Sequence, residues 1–431
     1  MTSTNNTAPN VDESGAVSKQ QWKWTVLAGM ASYLDAGSIV ALGSGLAVWQ
    51  SAFGMSAGAV GILAAIGPNA IGAAIGAFVG GRLGDKLGRK RIYQYDLLVY
   101  ALGILCVAFA VNAPMLFVGA LVIGVAVGAD VPTSLALVGE FSPSKARGKL
   151  LGLTQVAWYL GPVVVLLLAF ALAPFELLGI RIVFLQLFIV AIVTWALRQG
   201  MVESARWKSA ASAAAGGAAS VGARARDLFR GRNLQALAWT TTIYLFWNLA
   251  AGTSGIFTPY MIRTLGAGSQ AMSLALSCAG FLLGIVAVTT IFMRFSDRSH
   301  KARKIMWGIG AVMNIASYAV FLIFPFTIPT IILNIVLFSF GGALAGEAFY
   351  KVFSQELFPT MLRGTAQGIT FGTARVILGI WSFFVPVLAH ASIGPVAGLL
   401  TLFLTISGVV GMFFMPNTSG KSLEQIEAER A

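Results

Sequence analysis

The chain has 431 residues, of which 57% are hydrophobic and only 10% are charged, whereas charged residues make up about 25% of an ordinary soluble domain. With a mean hydropathy of +0.81, it has too little polar surface for a soluble globular protein or a disordered one. The two cysteines lie in apolar runs and there are two histidines. Neither a disulfide scaffold nor a metal centre or other cofactor is therefore expected, and a helical membrane protein remains.

Apolar segments recur along the whole chain, and each is long enough to cross a bilayer, which takes about 20 residues. The sequence therefore predicts an all-α integral membrane protein with twelve transmembrane helices. The predicted spans cover residues 22–50, 58–80, 92–112, 115–139, 150–172, 178–198, 236–262, 272–293, 305–325, 328–350, 366–389 and 393–415.

The net charge of +13 follows the order of these spans. Lysines and arginines concentrate at the termini and in the loops after even-numbered spans; of 29, only Arg181, Arg263 and Arg375 fall elsewhere. Because basic residues stay on the cytoplasmic side of a membrane, both termini of this multi-pass cell-membrane protein are predicted to be cytoplasmic. The basic balance therefore indicates topology and not nucleic-acid binding.

A polar segment divides the chain into two sets of six spans. Residues 1–21 form a polar, cytoplasmic N-terminus that is predicted to be disordered, and residues 199–235 form a cytoplasmic linker with an Ala/Gly-rich centre. The predicted N-terminal half covers residues 22–198, the C-terminal half covers residues 236–415, and a cytoplasmic tail covers residues 416–431.

Two short motifs recur in both sets of spans. The second loop contains Gly-Asp-Lys-Leu-Gly-Arg-Lys, beginning one residue before Asp85, and the eighth loop contains Ser-Asp-Arg around Asp297, 212 positions later. Glu140 and Glu356, which are 216 positions apart, each begin the pattern Glu-x-[Phe/Ser]-Pro-x3-Arg-Gly. Two unrelated motifs repeated at nearly half the chain length indicate duplicated six-helix halves, the parallel repeat known in secondary transporters.

The charged residues of these motifs are predicted to form a cytoplasmic gate. Opposite charges at helix ends can pair between the halves when the outside is open, and they separate when the inside opens. Partly desolvated pairs of this kind are weak enough to break reversibly. The alternative is that the charges are solvated and only fix the topology. The predicted gate residues are Asp85, Arg89, Glu140, Arg147, Asp297, Arg303, Glu356 and Arg363.

Several of these segments resemble a known family. Residues 81–90 resemble the signature loop of the major facilitator superfamily, and residues 202–207, 356–364 and 415–426 resemble motifs of its sugar-porter branch. The resemblance implies two pseudo-symmetric six-helix halves and secondary transport by alternating access, with a sugar or a cyclic polyol such as myo-inositol carried together with protons. It implies a carrier without enzymatic activity, whose partners are a small-molecule substrate, protons and the lipid bilayer. We expect this carrier to be a monomer.

Carboxylates at mid-membrane are costly and are therefore candidates for a function. Asp35 lies about halfway along the first span and corresponds to the aspartate that proton-coupled sugar porters carry there. Asp130 and Glu347 occupy near-equivalent places in the two halves, ten residues before Glu140 and nine before Glu356. The three are predicted to carry the coupling proton, and hydrogen bonding to neighbouring helices is the alternative for each.

Polar and aromatic residues of the inner spans are predicted to bind substrate. Gln155 matches the glutamine that contacts sugar hydroxyls in the family, and an amide both donates and accepts hydrogen bonds, as a neutral polyol requires. A hydrogen bond between helices is the alternative for Gln155. Arg375 is predicted either to balance a carboxylate or to attract an anionic substrate. Indole rings can stack on the C–H face of a sugar, with ordinary packing as the alternative. The remaining predicted substrate residues are Trp158, Trp247, Asn248 and Trp381.

The chain departs from the sugar-porter pattern at several positions. Ala120 stands where the branch carries an arginine partner for the first-span aspartate, and Lys351 stands in place of a tryptophan. The Gln-Gln and Asn of the family's seventh helix are replaced by Phe246-Trp247 and Gly252. These changes argue against a glucose-like or xylose-like substrate. They leave an organic-acid/proton symporter and a drug or metabolite exporter of the same superfamily as alternatives.

Overall fold

The structure is a computed structural model that describes residues 16–215, 225–264, 269–389 and 392–430, and these residues contain helices and no strand. The N-terminus before residue 16 and linker residues 216–224 lie outside this description. A π-helical turn at Val288–Phe292 connects α10 to α11. The helices are α1 (Lys19–Phe53), α2 (Ala57–Ile66), α3 (Ile71–Leu87), α4 (Arg89–Ala108), α5 (Ala113–Phe141), α6 (Arg147–Ala171), α7 (Glu176–Arg198), α8 (Ala205–Ala215), α9 (Gly231–Thr264), α10 (Gln270–Ala287), α11 (Met293–Phe295), α12 (His300–Ile323), α13 (Ile328–Leu344), α14 (Glu347–Glu356), α15 (Arg363–Ala389), α16 (Gly394–Phe413) and α17 (Leu423–Arg430).

Eleven helical segments of the described chain are long and apolar enough to cross a membrane, so this is a multi-pass membrane protein. The remaining predicted span falls on α9, whose 34 residues are sufficient for a crossing of about 20 residues. This helix is more polar, since Asn248 and Thr253 lie in its middle. All twelve predicted spans lie on helices, which confirms the all-α, twelve-helix architecture.

The helices form two groups with similar internal packing. We call α1–α7 the N-terminal half and α9–α16 the C-terminal half. In the N-terminal half α1 packs on α6, and in the C-terminal half the corresponding α9 packs on α15. The halves meet where α3 packs on α15 and where α6 packs on α10 and α14.

Glycines allow the two halves to approach closely where α3 crosses α15. A Cβ at Gly81 would lie 2.2 Å from the carbonyl oxygen of Gly364, and one at Gly368 would lie 2.3 Å from that of Ala77. No side chain larger than hydrogen fits at either position. The close backbone contact places the end of α3 against the start of α15, where several predicted gate residues lie.

Two spans are interrupted inside the bundle. The second span is broken at residues 67–70 between α2 and α3, and the tenth is broken between α13 and α14, just before Glu347. Non-helical backbone at membrane depth is tolerated where it is buried in protein or lines a cavity. At Gly346 a Cβ would lie 2.6 Å from Cε2 of Trp247, so only glycine allows this contact. The breaks place the backbone of Asn69 and the side chain of Glu347 beside one cavity.

Candidate functional site

Two adjoining cavities of ≈ 70 and ≈ 30 Å³ lie between the halves. Trp158, Trp247 and Phe281 line both of them. The larger cavity extends between α6, α9, α10 and α13, and the smaller one reaches Asn69 and Glu347. Since a water molecule needs about 10–15 Å³ on this measure, the two cavities together have room for roughly seven waters. The site is therefore compact.

An ion pair joins the halves beside this site. Arg375 on α15 donates to the two carboxylate oxygens of Asp35 on α1, at 3.4 and 3.1 Å, and to the backbone oxygen of Asn69 at 3.2 Å. Trp158 Nε1 donates to Asp35 Oδ2 at 3.1 Å. Ala120 stands where the family's arginine partner would lie, but Asp35 still has an arginine partner. That partner, Arg375, comes from the opposite half. Of the two roles predicted for Arg375, the structure shows it balancing a carboxylate.

A second polar contact between the halves centres on Glu347, the first residue of α14. Gln155 Nε2 on α6 donates to Glu347 Oε2 at 3.1 Å. Lys351 Nζ lies 3.8 Å from Glu347 Oε1 and donates to Ser32 Oγ on α1 at 3.4 Å. The structure thus brings the predicted residues Gln155 and Glu347 together. Lys351, which the sequence marks only as a departure from the family pattern, completes the group.

The predicted tryptophans have different surroundings. Trp158 and Trp247 line the cavities, whereas Trp381 is not among their lining residues. Trp381 Nε1 donates instead to Thr253 Oγ1 at 2.8 Å inside the C-terminal half. Its indole therefore serves helix packing, the alternative that the sequence left open.

Four buried polar atoms in or next to the cavities have no hydrogen-bond partner within the described residues. They are the donors Trp247 Nε1, Asn248 Nδ2 and Arg375 Nε and the acceptor Gln155 Oε1. Buried polar groups are normally paired, so unpaired atoms at a cavity indicate a ligand that completes them. Three donors and one acceptor match hydroxyl groups, which both donate and accept.

Asp130 lies apart from this site. Its carboxylate accepts two hydrogen bonds from Arg198 Nη1, at 3.1 and 3.0 Å, and one from Ser134 Oγ at 2.5 Å. Arg198 also donates to the backbone oxygen of Leu27. Asp130 is therefore bound within the N-terminal half, as its alternative interpretation anticipated. Arg198 was missed as a partner because an arginine at the end of a span is the usual signal of topology.

At the end of the bundle predicted to be cytoplasmic, Glu140 connects arginines from both halves. Arg89 Nη2 donates to Glu140 Oε1 at 2.8 Å, and Arg363 Nη1 donates to the same oxygen at 3.1 Å. Arg89 also binds Asp85 Oδ1 at 2.8 Å and the backbone oxygen of Thr360 at 2.7 Å. All four charged side chains are buried, so they are not the solvated charges of the alternative interpretation.

A second buried cluster repeats this arrangement. Glu356 accepts from Arg147 of the N-terminal half at 3.0 Å and from Arg303 of its own half at 2.8 Å. Asp297 Oδ1 lies 3.8 Å from Arg303. Thr418, in the tail, donates to Glu356 and accepts from Arg303. The sequence identified the tail only as a family motif, so this role of Thr418 was not predicted.

The repeated motifs exchange partners between the halves. Glu140 pairs with Arg363 and Glu356 pairs with Arg147, so each glutamate binds the arginine of the other repeat. We call the eight charged residues of these two clusters the gate. All eight lie in these two clusters, in a conformation in which the two halves are in contact at this end.

The motif aspartates exchange partners in the same way. Asp85 accepts from the backbone amides of Gly364 and Thr365 at the start of α15, at 3.0 and 2.6 Å. Asp297 accepts from the equivalent amides at the start of α6, both at 2.8 Å. A negative charge is favoured at a helix N-terminus. Burial nevertheless raises the pKa of Asp297 above its ordinary value, and Arg303 and the two amides only partly oppose this effect.

The tail and the linker pack against each other beside the gate. Arg206 on α8 binds Glu424 on α17 at 2.8 Å and donates to the backbone oxygen of Glu140 at 2.7 Å. Trp207 Nε1 donates to the backbone oxygen of Asp85 at 2.9 Å. Burial tends to raise the pKa of Glu424, but a backbone hydrogen bond and Arg206 outweigh it, so the pKa is lowered. The family motifs of the linker and tail therefore contact the gate.

Two packed halves, a cavity between them and charged side chains that pair across the halves at one end match the arrangement of transporters that work by alternating access. Residues 25–383 match the sequence profile of the Major Facilitator Superfamily. The chain belongs to this superfamily. It is therefore a secondary transporter and not an enzyme, as the sequence predicted.

Relatives within the superfamily match the chain over most of its length. It is 40% identical over 412 residues to the minor myo-inositol transporter IolF of Bacillus subtilis, covering 94% of this chain and 93% of that protein. It is 28% identical over 375 residues to the glucose transporter GlcP of Staphylococcus epidermidis, covering 79% and 82%. The proton:xylose symporter XylE, bound to 6-bromo-6-deoxy-D-glucose, has a similar fold, with a TM-score of 0.82 at 18% identity over 95% of this chain and 99% of that one.

Proposed function

We propose that this superfamily member is a proton symporter for a neutral cyclic polyol of the myo-inositol class. The observation that carries the proposal is the compact site between the halves, where Trp247 Nε1, Asn248 Nδ2 and Gln155 Oε1 have no partner within the described residues. A relative with 40% identity is named a myo-inositol transporter, which supports the same substrate class.

The charges beside the cavities favour a neutral substrate. Asp35 pairs with Arg375, and Glu347 lies next to Lys351, so these four charges cancel. A charged substrate would add an unbalanced charge beside these buried side chains, which is costly away from water. A polyol adds donors and acceptors without net charge. The organic-acid alternative is disfavoured, because an anion would have to compete with Asp35 for Arg375.

Proton coupling follows from the position of Asp35. Its ion pair with Arg375 crosses from one half to the other, so a proton on Asp35 weakens a contact that holds the halves together. Trp158 connects the same carboxylate to the cavity lining. Substrate occupancy and protonation of Asp35 therefore bias the same conformational equilibrium, and both ligands are released inside when the gate separates.

The proposal places the termini, α8, α17 and the gate in the cytoplasm, in agreement with the distribution of basic residues. It takes the monomer as the transporting unit, since one polypeptide contains the whole site. The carrier resides in the cell membrane, where a proton gradient is available.

Counterflow in proteoliposomes tests the substrate class. Vesicles loaded with unlabelled myo-inositol are diluted into trace labelled substrate, and protein-free vesicles give the background. Labelled myo-inositol is expected to exchange, and a cyclic polyol in excess should compete with it better than xylose or glucose does. Exchange of an organic acid or a cationic dye, with no exchange of polyol, would overturn the proposal.

A further inference from the structure

Lys351 is a buried lysine between the cavities and the gate. It lies one helical turn after Glu347 on α14, roughly 6 Å farther along the axis at 1.5 Å per residue, and five residues before Glu356 of the gate. Its side chain is only 1% exposed. A charged side chain at this depth is costly and is expected to have a defined partner.

The ammonium group of Lys351 is held loosely. Its Nζ lies 3.8 Å from Glu347 Oε1 and 3.4 Å from Ser32 Oγ, although an ammonium can donate three hydrogen bonds. At these distances the ammonium group can compensate the charge of Glu347 electrostatically. It does not fix the orientation of the carboxylate as a short hydrogen bond would. The contact with Ser32 also connects α14 to α1 of the other half.

Four charged groups interact in this region. Asp35 of α1 and Arg375 of α15 act on Lys351, in addition to Glu347 on its own helix. Asp35 and Arg375 also interact electrostatically with Glu347, and so do Tyr159 of α6, Tyr244 of α9 and Tyr350 of α14.

Removal of the positive charge of Lys351 would leave one cation, Arg375, for two buried carboxylates. Arg375 already contacts Asp35 at 3.1 Å, and Glu347 would retain only the hydrogen bond from Gln155. An uncompensated buried carboxylate takes up a proton in preference to staying charged. Glu347 would then compete with Asp35 as a site for the coupling proton.

We propose that Lys351 is a positioning residue that keeps Glu347 ionised, so that Asp35 alone exchanges the coupling proton and one proton moves with each polyol. This inference rests on the proposed function, since it concerns the protons that accompany the substrate. It explains why a lysine occupies this position beside the site: the second carboxylate can accept hydrogen bonds from a polyol without itself binding a proton.

The test compares proton stoichiometry and pH dependence among variants of the full-length carrier. Protons per polyol come from the pH gradient at which myo-inositol flux reverses, and affinity comes from equilibrium binding of myo-inositol between pH 5.5 and 8.5. Wild type, Lys351→Arg and Ser32→Ala are expected to move one proton. Lys351→Met is expected to move two protons with each polyol. In the pH range where Glu347 must bind the extra proton, its affinity for myo-inositol should fall by a further factor of ten for each unit that the pH rises. The double variant Glu347→Gln/Lys351→Met should return to one proton.

The proposal would be overturned if Lys351→Met moves one proton per polyol and its affinity depends on pH as in the wild type. Lys351 would then serve only to connect α14 to α1 through its hydrogen bond to Ser32. If this variant is too unstable for transport assays, the free energies of unfolding of Lys351→Met, Glu347→Gln and the double variant test the proposal instead. The proposal requires the double variant to be more stable than either single variant, whereas additive losses contradict it. That comparison needs no substrate. A wild-type protein without polyol counterflow would therefore overturn the proposed function separately.

Discussion

Asp130 and Glu347 occupy near-equivalent positions in the two halves, yet their surroundings differ. Asp130 lies within the uninterrupted α5 and is bound by Arg198 of its own half at 3.0 and 3.1 Å. Glu347 follows a helix break, contacts Gln155 of the other half at 3.1 Å and lies 3.8 Å from Lys351. A carboxylate paired inside one rigid half stabilises that half, whereas one at the cavity between halves responds to their movement. The two carboxylates therefore differ because of the side chains that contact them, although their positions in the repeat are nearly equivalent.

Asp130→Asn is expected to have the largest effect, and it acts on stability. It removes the carboxylate that Arg198 contacts at 3.0 and 3.1 Å, and removing one partner of a buried ion pair costs about 3–5 kcal/mol. Glu347→Gln should cost less, because its pair with Lys351 is longer. Unfolding of both purified variants in one detergent measures the difference. Equal losses would show that the two carboxylates have the same structural role.

Glu356→Gln extends the comparison to the gate, where the carboxylates contact both halves. It removes the charge shared by Arg147 and Arg303, and hydrogen bonds to charged groups contribute about 1.5–3 kcal/mol each. When the gate opens, water forms hydrogen bonds to the separated groups and compensates for part of this free energy. We therefore expect a larger population in which the two halves are separated at the gate, with a smaller loss of stability than for Asp130→Asn.

The separation at the gate can be measured as a distance between spin labels that replace the exposed residues Lys86 and Lys301, with Cys106 and Cys278 changed to serine. Glu176→Gln is the matched control, because it makes the same chemical change at an exposed carboxylate outside the gate. An unchanged distance distribution in Glu356→Gln would show that this glutamate does not hold the halves together.

Asn248→Ala has the smallest expected effect, and it acts on binding alone. One hydrogen bond to a polyol contributes about 1 kcal/mol, so KM for myo-inositol should rise roughly fivefold with little change in kcat. Asn334→Ala is the matched control, since Asn334 Nδ2 donates to the backbone of Ser317 inside the C-terminal half at 2.7 Å. Equal KM changes in both variants would remove Asn248 from the binding site.

Local patterns in the sequence account for the fold. Hydropathy and charge predicted all twelve helices, because each span depends on its own composition. The duplicated motifs predicted which charges form the gate. They did not predict the exchange of Arg147 and Arg363 between halves, since pairing depends on how the helix ends meet in space.

The site itself was only partly predictable for the same reason. Trp247 and Trp381 are alike in sequence, but the close contact at Gly346 directs one indole to the cavity, whereas Trp381 bonds to Thr253. The type of residue identifies a candidate, and helix breaks and rotations decide what it faces. Lys351 shows that a departure from a family pattern can be as informative as a match.

Proton coupling through Asp35 is tested most directly by one paired measurement. Asp35→Asn substitutes a neutral amide for the carboxylate, so the carrier can still bind polyol and move between conformations but has no proton to exchange at this position. Uptake of labelled myo-inositol under an imposed pH gradient, alkaline inside, is compared with counterflow without a gradient in the same vesicles. Asp35→Asn is expected to lose accumulation and to keep counterflow at a rate comparable to wild type. Accumulation of myo-inositol against its gradient by Asp35→Asn would contradict the assignment of Asp35 as the coupling residue.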